Sequence, residues 1–555
     1  MTHGNGVRGF EGLQALAVVS AILLLTACGG GSGDGPLAGV TPPAPSSNAS
    51  PPPPPSSIVT PTNSGFTTGQ FSPSASFKNQ CASPRSGKSA VTGETFPDQA
   101  GSILSENNYL RSWTNELYLW YNEVQDLNPN SYSTADYFDL LKTQEKTGSG
   151  AEKDKFHFSM PTEEWESFSQ SGTSAGYGAT FFILASLPPR KVIVAFTDPN
   201  TPAALGGVLR GDEVLTVDGA DLVNGNMQAD VDKLNAGLSP AASGESHTFS
   251  LRSVAGVTRT VVLTSANITS TPVQNVKVLP TAAGNVGYLL FNDHIATAES
   301  QLIAAINTLK AQGVVDLVVD MRYNGGGFLD IAAEFAYMIA GSTRTSGQTF
   351  ERIAFNDKHP STDPVTGEAL KPTPFYATTL GFSTAPNAAL PTLDLSRVFI
   401  LTTADTCSAS EAVMNGLLGV DIQVIQIGTT TCGKPYGFYP QDNCGTTYFS
   451  VQFKGVNAKG FGDYSDGFSP QNTVTGKSAP VDGCSVADDF ANALGSPNEK
   501  MLAAALDYRL SSTCPASPAQ FDGSGLSKAG STETTSQGRL LRPEWRKNRM
   551  MRTVR

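Results

Sequence analysis

Between Ile103 and Val124 the apolar residues Leu110, Trp113, Leu117, Trp120 and Val124 recur at steps of three and four. That period predicts an amphipathic helix with a broad aromatic face, set in a small helical domain over residues 76–165. From about 172 to 266 the pattern shortens to β-branched runs, Val192–Phe196, Glu213–Val217, His247–Arg252 and Arg259–Leu263, separated by Gly and Pro. These predict a β-rich domain over residues 170–266. From Gly287 strand and helix patterns alternate: Val314–Asp320, then Phe328–Ala340, Val398–Thr403, Ala409–Leu418 and Ile422–Ile427. Such alternation predicts a third domain over residues 280–514, an α/β layer on a mostly parallel, buried sheet. A last helix is predicted from Ser496-Pro497-Asn498-Glu499, with Ser as N-cap, Pro in the first turn and Glu closing a capping box. The expected fold class is multidomain α/β.

The two ends have a different texture. Residues Gly12–Ala27 form an apolar stretch after Arg8, the layout of a secretory signal, and fall short of the roughly 20 residues a membrane span needs. The stretch closes Leu25-Thr26-Ala27-Cys28. It resembles a bacterial lipobox, which implies removal of residues 1–27 and a lipid on the Cys28 thiol. The resemblance places the protein in the cell envelope, on the outer membrane because glycine follows Cys28, facing the periplasm or the exterior. Residues 28–75, with five prolines at Pro51–Pro55, read as a disordered tether. Residues 515–555 read as a disordered basic tail. Arg539–Arg555 holds seven Lys/Arg and one Glu, so the remainder carries −18 of the total −12. That tail is either solvated or in contact with an acidic surface, its own body included. The overall negative charge excludes a bulk nucleic-acid or anionic-membrane binder.

Seven cysteines less Cys28 leave six, which in an exported chain reads as up to three disulfides. Gly, Pro and Asn lie between Cys432 and Cys444, and we expect that bridge; Cys81, Cys407, Cys484 and Cys514 then admit three pairings. With no Cys-x-x-Cys and no His-Glu-x-x-His, neither metal nor cofactor is expected.

Two strand-to-helix junctions carry candidate chemistry. Asp320-Met321-Arg322-Tyr323-Asn324-Gly325-Gly326-Gly327 offers glycines whose N–H groups can converge on an anion or oxyanion. Thr406-Cys407-Ser408-Ala409-Ser410-Glu411 sets a serine at a helix N-terminus, where partial positive charge favours an oxyanion; Ser408-x-x-Glu411 equally fits a plain capping box. A third element, Gly433-Lys434, follows the next strand. Lysine serves as a general base for serine only where desolvation keeps it neutral.

In this order the three motifs resemble those of the carboxyl-terminal processing peptidases, Ser/Lys-dyad serine endopeptidases that carry a PDZ domain before the protease core. The resemblance covers about residues 103–510. Gly176-Tyr177-Gly178-Ala179 resembles the PDZ carboxylate-binding loop. Thr201-Pro202-Ala203, Gly211-Asp212-Glu213 and Val217-Asp218-Gly219 resemble later parts of that domain. It implies Ser408 as nucleophile, Lys434 as general base, the N–H groups of Ala409 and Gly326 as oxyanion hole, and Glu411 as orienting the helix start. It implies protein or peptide substrates with free C-termini as partners. The sequence departs from the family where Phe438 stands four residues after the lysine in place of glutamine; Gln441 is the nearest substitute, and the Cys432–Cys444 bridge could steady the loop instead. His294, at a strand end, is a candidate for substrate contact or an ordinary loop residue. Gly172-Thr173-Ser174-Ala175-Gly176 matches a nucleophile elbow but lacks the buried strand before it and the helix after it. The competing function is a catalytically silent scaffold that binds C-termini of envelope proteins.

Overall fold

The computed structural model describes residues 66–473, 477–515, 540 and 549–551. Cys28, the leader and the proline tether lie outside them. Its centre is a six-stranded sheet in the order Val273–Leu279, Val286–Phe291, Asp316–Asp320, Arg397–Thr402, Gln423–Gly428 and Gly483–Ser485. The first pair is antiparallel and every later pair parallel. Every residue of Val286–Phe291 and of Asp316–Asp320 is buried, as strands covered on both faces require. Helices Ala298–Ala311, Leu329–Ala340 and Ala409–Gly419 make the crossovers between parallel neighbours. The carboxyl ends of four adjacent parallel strands therefore open on one edge, where ligand sites of α/β sheets form.

The β-rich region folds around its own core. Thr258–Thr264, Ser246–Arg252, Glu213–Val217, Lys191–Thr197 and Ala179–Ala185 form one sheet in that order, with helix Gln228–Leu238 alongside. Its entry strand Thr173–Gly176 pairs with its exit strand Ala266–Thr269. Ser174 thus lies in a strand followed by further strand, and the elbow pattern there is fortuitous. Arg210 ties this region to the central sheet: its guanidinium donates to Asp488 Oδ1 (2.7 Å), Tyr323 Oη (2.7 Å) and the Asn492 carbonyl (3.0 Å).

Of the boundaries that differ from the sequence reading, three have a cause in the packing. The first helix is Ile103–Leu117, and Tyr118 turns extended (φ −61°, ψ 132°). Its hydroxyl donates to buried Asp154 (2.7 Å), and the next N–H donates to the Val451 carbonyl (2.8 Å). The aromatic period continues past Leu117 because the chain still packs inward, no longer as helix. Phe158–Pro161, expected in the helical domain, pairs with Thr446–Phe449 of the core region. The last helix begins at Lys500, with Glu499 itself as N-cap accepting from the N–H groups of Met501 and Leu502.

The disulfides are Cys81–Cys444, Cys407–Cys432 and Cys484–Cys514. The expected Cys432–Cys444 bridge is therefore wrong. Proximity in sequence misled: Cys444 sits at the tip of the hairpin Gln441–Asn443/Thr446–Phe449, facing the N-terminal region. The basic tail also departs from a purely solvated one, because Arg549–Met551 forms a strand parallel to Gly326–Phe328.

Candidate active site

Each of the four neighbouring strands delivers one candidate at its carboxyl end. Val286–Phe291 leads to His294, Asp316–Asp320 to Asn324 and the glycines, Arg397–Thr402 to Ser408, and Gln423–Gly428 to Lys434. The sheet order brings together residues up to 140 positions apart in sequence.

Ser408 is the N-cap of helix Ala409–Gly419, with φ +60° and ψ −112°. A non-glycine residue there costs on the order of 1–3 kcal/mol, which surrounding contacts must hold in place. Those contacts are visible. The Ser408 N–H donates to Glu411 Oε2 (3.0 Å), and the Cys407 N–H donates to the Asn324 carbonyl (3.0 Å). Ser408 is fully buried. The Ala409 N–H belongs to the first helical turn, whose donors lack intrahelical partners.

The lysine loop is held by the same carboxylate. Glu411 Oε2 also accepts from the Lys434 N–H (2.8 Å), while Oε1 accepts from the Gly433 N–H (2.8 Å) and the Thr431 hydroxyl (2.5 Å). Burial pushes the Glu411 carboxyl above its usual range, and the four donors oppose that shift. The Cys407–Cys432 bridge, with Cα atoms 5.2 Å apart, joins the residue before Ser408 to the residue two before Lys434. So a disulfide does fix the lysine loop, but through Cys407. Lys434 is fully buried, its Nζ 4.1 Å from the Phe438 ring centre and 4.9 Å from that of Phe156. Phe438, the departure from the family pattern, thus supplies an aromatic face where a glutamine was expected. Gln441 is not the substitute: its amide oxygen accepts from Lys78 Nζ (2.9 Å), away from Lys434.

Asn324 organises the glycine segment. Its Oδ1 accepts from the Gly326 N–H (3.0 Å) and pairs with His294 Nδ1 (3.1 Å); its Nδ2 donates to the Phe291 carbonyl (2.9 Å). The Gly326 N–H is committed inside the loop in this conformation. His294 is fully buried, and burial pulls its imidazole down to about 3, so the ring is neutral. With the acceptor Oδ1 facing it, Nδ1 carries the proton. The His294 backbone brackets the glycine strand, donating to the Gly326 carbonyl (2.9 Å) and accepting from the Phe328 N–H (2.7 Å). A Cβ on Gly327 would lie 2.4 Å from the His294 carbonyl oxygen, so only glycine fits.

Behind this loop the motif's charged half is locked in place. Arg322 donates to Asp320 (2.9 Å), Glu499 (2.9 and 3.0 Å) and Asp488 (2.6 Å), and Tyr288 Oη donates to Asp320 (2.7 Å). Neither Asn324 as organiser nor Phe156 and Glu499 as partners was singled out from sequence. Glycine richness drew attention to the loop, and the residues that shape it carry no spacing signal.

Cys407, Glu411 and Cys432 also converge closely enough to suggest a metal. Both sulfurs are consumed in the disulfide. In the β-rich region, Gly178 has φ +71°, and its carbonyl accepts from the Asp198 N–H (2.7 Å). The Tyr177 carbonyl accepts from the Ala203 N–H (2.9 Å), so the Gly176–Ala179 loop is fastened to Thr201-Pro202-Ala203.

Comparison with known proteins agrees with this geometry. Residues 285–438 match peptidase family S41. A carboxyl-terminal-processing protease of Picosynechococcus sp. is 30% identical over 175 residues, 30% of this chain and 39% of that protein. A chloroplastic C-terminal processing peptidase of Tetradesmus obliquus is 33% identical over 162 residues, 27% of this chain and 34% of that protein. The chain thus spans little more than a third of either relative. A crystal structure assigned as an S41 protease from Bacteroides fragilis shares the fold over 76% of this chain and 99% of its own, with TM-score 0.55 and 20% identity. The span that matches peptidase family S41, residues 285–438, is the one that holds His294, Asn324, Ser408 and Lys434, and the relatives it resembles are carboxyl-terminal processing peptidases.

Proposed function

We propose that this protein is a serine endopeptidase acting through Ser408 and Lys434. The observation that carries the reading is the double tie between them. One buried carboxylate, Glu411, accepts from the backbone N–H of both residues, and one disulfide joins their flanking positions. The Ser408 hydroxyl is fully buried at a helix start with left-handed φ, where partial positive charge favours a developing oxyanion. Ser408 Oγ bonds to the peptide carbonyl carbon, and its proton passes to the Lys434 amine, a step that requires this amine to be unprotonated. Lys434 then protonates the departing amine as the peptide bond breaks. Water attacks the acyl-enzyme with Lys434 again taking the proton, and Ser408 is restored. The rings of Phe156 and Phe438 keep water from the amine. The Ala409 N–H stabilises the oxyanion together with a glycine N–H of the 325–327 segment, and Gly326 serves there once released from Asn324.

The β-rich region is read as a PDZ domain that captures a substrate's C-terminus along Ala179–Ala185, with the Gly176–Ala179 loop at the carboxylate. The chain is anchored to the envelope through a lipid on Cys28; Cys28→Ala should move it from the membrane fraction to the soluble one. The closed state of Ser408 favours the competing reading of a silent scaffold.

The deciding experiment compares the full chain with Ser408→Ala and Lys434→Ala on an unfolded protein, reading fragments by intact mass. Cleavage by the parent, lost on the order of 10⁴-fold in either variant, is expected. Retained cleavage in Lys434→Ala would exclude the lysine as base. C-terminal peptide binding with no cleavage by any form would favour the scaffold.

A further inference from the structure

We infer that Leu540 and Arg549–Met551 of this chain are resident occupants of its own substrate path; the inference rests on the peptidase reading above. Two separated contacts define the path. Leu540 is buried within the core of the β-rich region among residues that include Tyr177, Ala179 and Ile183, and its N–H donates to the Ser186 carbonyl (3.2 Å), just past strand Ala179–Ala185. Arg549–Met551 pairs as a strand with Gly326–Phe328, Arg549 opposite Gly326 and Met551 opposite Phe328. That strand also lies against helix Ala409–Gly419, which Ser408 caps, and against Tyr436–Gly437, two residues beyond Lys434.

An extended polypeptide paired to the glycine strand between the serine helix and the lysine segment occupies the place a substrate backbone would take. A short strand edge of this kind is a template for pairing with any extended chain. The tail is of the same chemical class as the substrate, and it is tethered. Nine residue steps separate Leu540 from Arg549, a reach of about 30 Å at most. The two contacts also match the two stations of the proposed mechanism, capture in the β-rich region and cleavage at the sheet edge. Charge works in the same direction: Arg539–Arg555 carries +6 against −18 for the rest of the chain. The occupant lowers activity on other polypeptides until it is displaced. A tether gives an effective concentration on the order of 1 mM, so a tail that binds in trans at about 100 µM leaves about one molecule in ten open.

The test compares the full chain with a chain ending at Gly538 and with Leu540→Asp in the full chain. The substrate is an unfolded protein, and a synthetic peptide of residues 539–555 is the probe. We expect about tenfold faster cleavage by the shortened chain, an intermediate rise for Leu540→Asp, and inhibition of the shortened chain by the peptide. Equal rates for all three forms, with no binding of labelled peptide to the shortened chain carrying Ser408→Ala, would overturn the inference and leave the peptidase reading intact. If no form cleaves, peptide binding to that Ser408→Ala chain still supports the tail as occupant, while the peptidase reading falls.

Discussion

The segment Asp320–Gly327 has a charged half and a neutral half, and two buried glutamates show the difference. Glu499 accepts from the Arg322 guanidinium and from two helix N–H groups. Glu411 accepts from three backbone N–H groups and one hydroxyl, and from no guanidinium. In the charged half, Arg322 and Arg210 hold Asp488 below the usual carboxylate range against the burial that would raise it. In the neutral half, burial prevails: Glu411 is pushed up and His294 is pulled down. Fixed charges anchor the loop at a distance from the reacting atoms. Neutral donors position Ser408 and Lys434, and no guanidinium bonds the carboxylate that holds them.

The strongest way to break this contrast is Arg322→Leu. It leaves Asp320 and Glu499 buried without their cation and takes one of two from Asp488, and should cost about 3–5 kcal/mol in urea unfolding, more than any neutral-half change. Arg322→Leu with an unchanged midpoint would mean that the charged half is not the anchor.

A pH titration tests the neutral half. His294 is held at about 3 in the fold against 6.5 when unfolded. The unfolded chain therefore binds the extra proton first, and stability contributed by neutral His294 is full above pH 6.5 and is lost as pH falls toward 3. At pH 4 the loss is about 3 kcal/mol. The difference in unfolding free energy between pH 7 and pH 4 should shrink by that amount in His294→Gln. An equal difference in both proteins would show that His294 is not buried as a neutral ring.

The smallest expected effect comes from Glu411→Gln. Each carboxylate oxygen faces two donors, so the new amide NH2 must oppose at least one backbone N–H. We expect a stability loss of about 2 kcal/mol and a fall in kcat with little change in KM. A change confined to KM would place Glu411 in substrate binding instead.

Regular elements were legible because their apolar period is set by burial on two faces or one. Glu213–Val217 matches residue for residue, and Leu329–Ala340 and Ala409–Gly419 differ by a single terminal position. Helix Ile103–Leu117 was overextended because Trp120 and Val124 keep the period after the helix has ended. Glu499 satisfied a capping-box spacing, yet it caps the helix directly and binds Arg322, a partner 177 residues away. The serine and lysine could be found because their motifs are local. Cysteine pairing, Asn324 and the rings around Lys434 could not, since each depends on which strands lie side by side.

The Cys407–Cys432 bond closes a loop of 25 residues. Loop-closure entropy values such a crosslink at about 3.5 kcal/mol, and the loop it closes runs from Ser408 to the threshold of Lys434. An oxidised chain that unfolds therefore keeps Ser408 on a short covalent ring with Lys434 two residues outside it. Mild reduction should loosen the segments that hold Ser408 and Lys434 while the central sheet still stands.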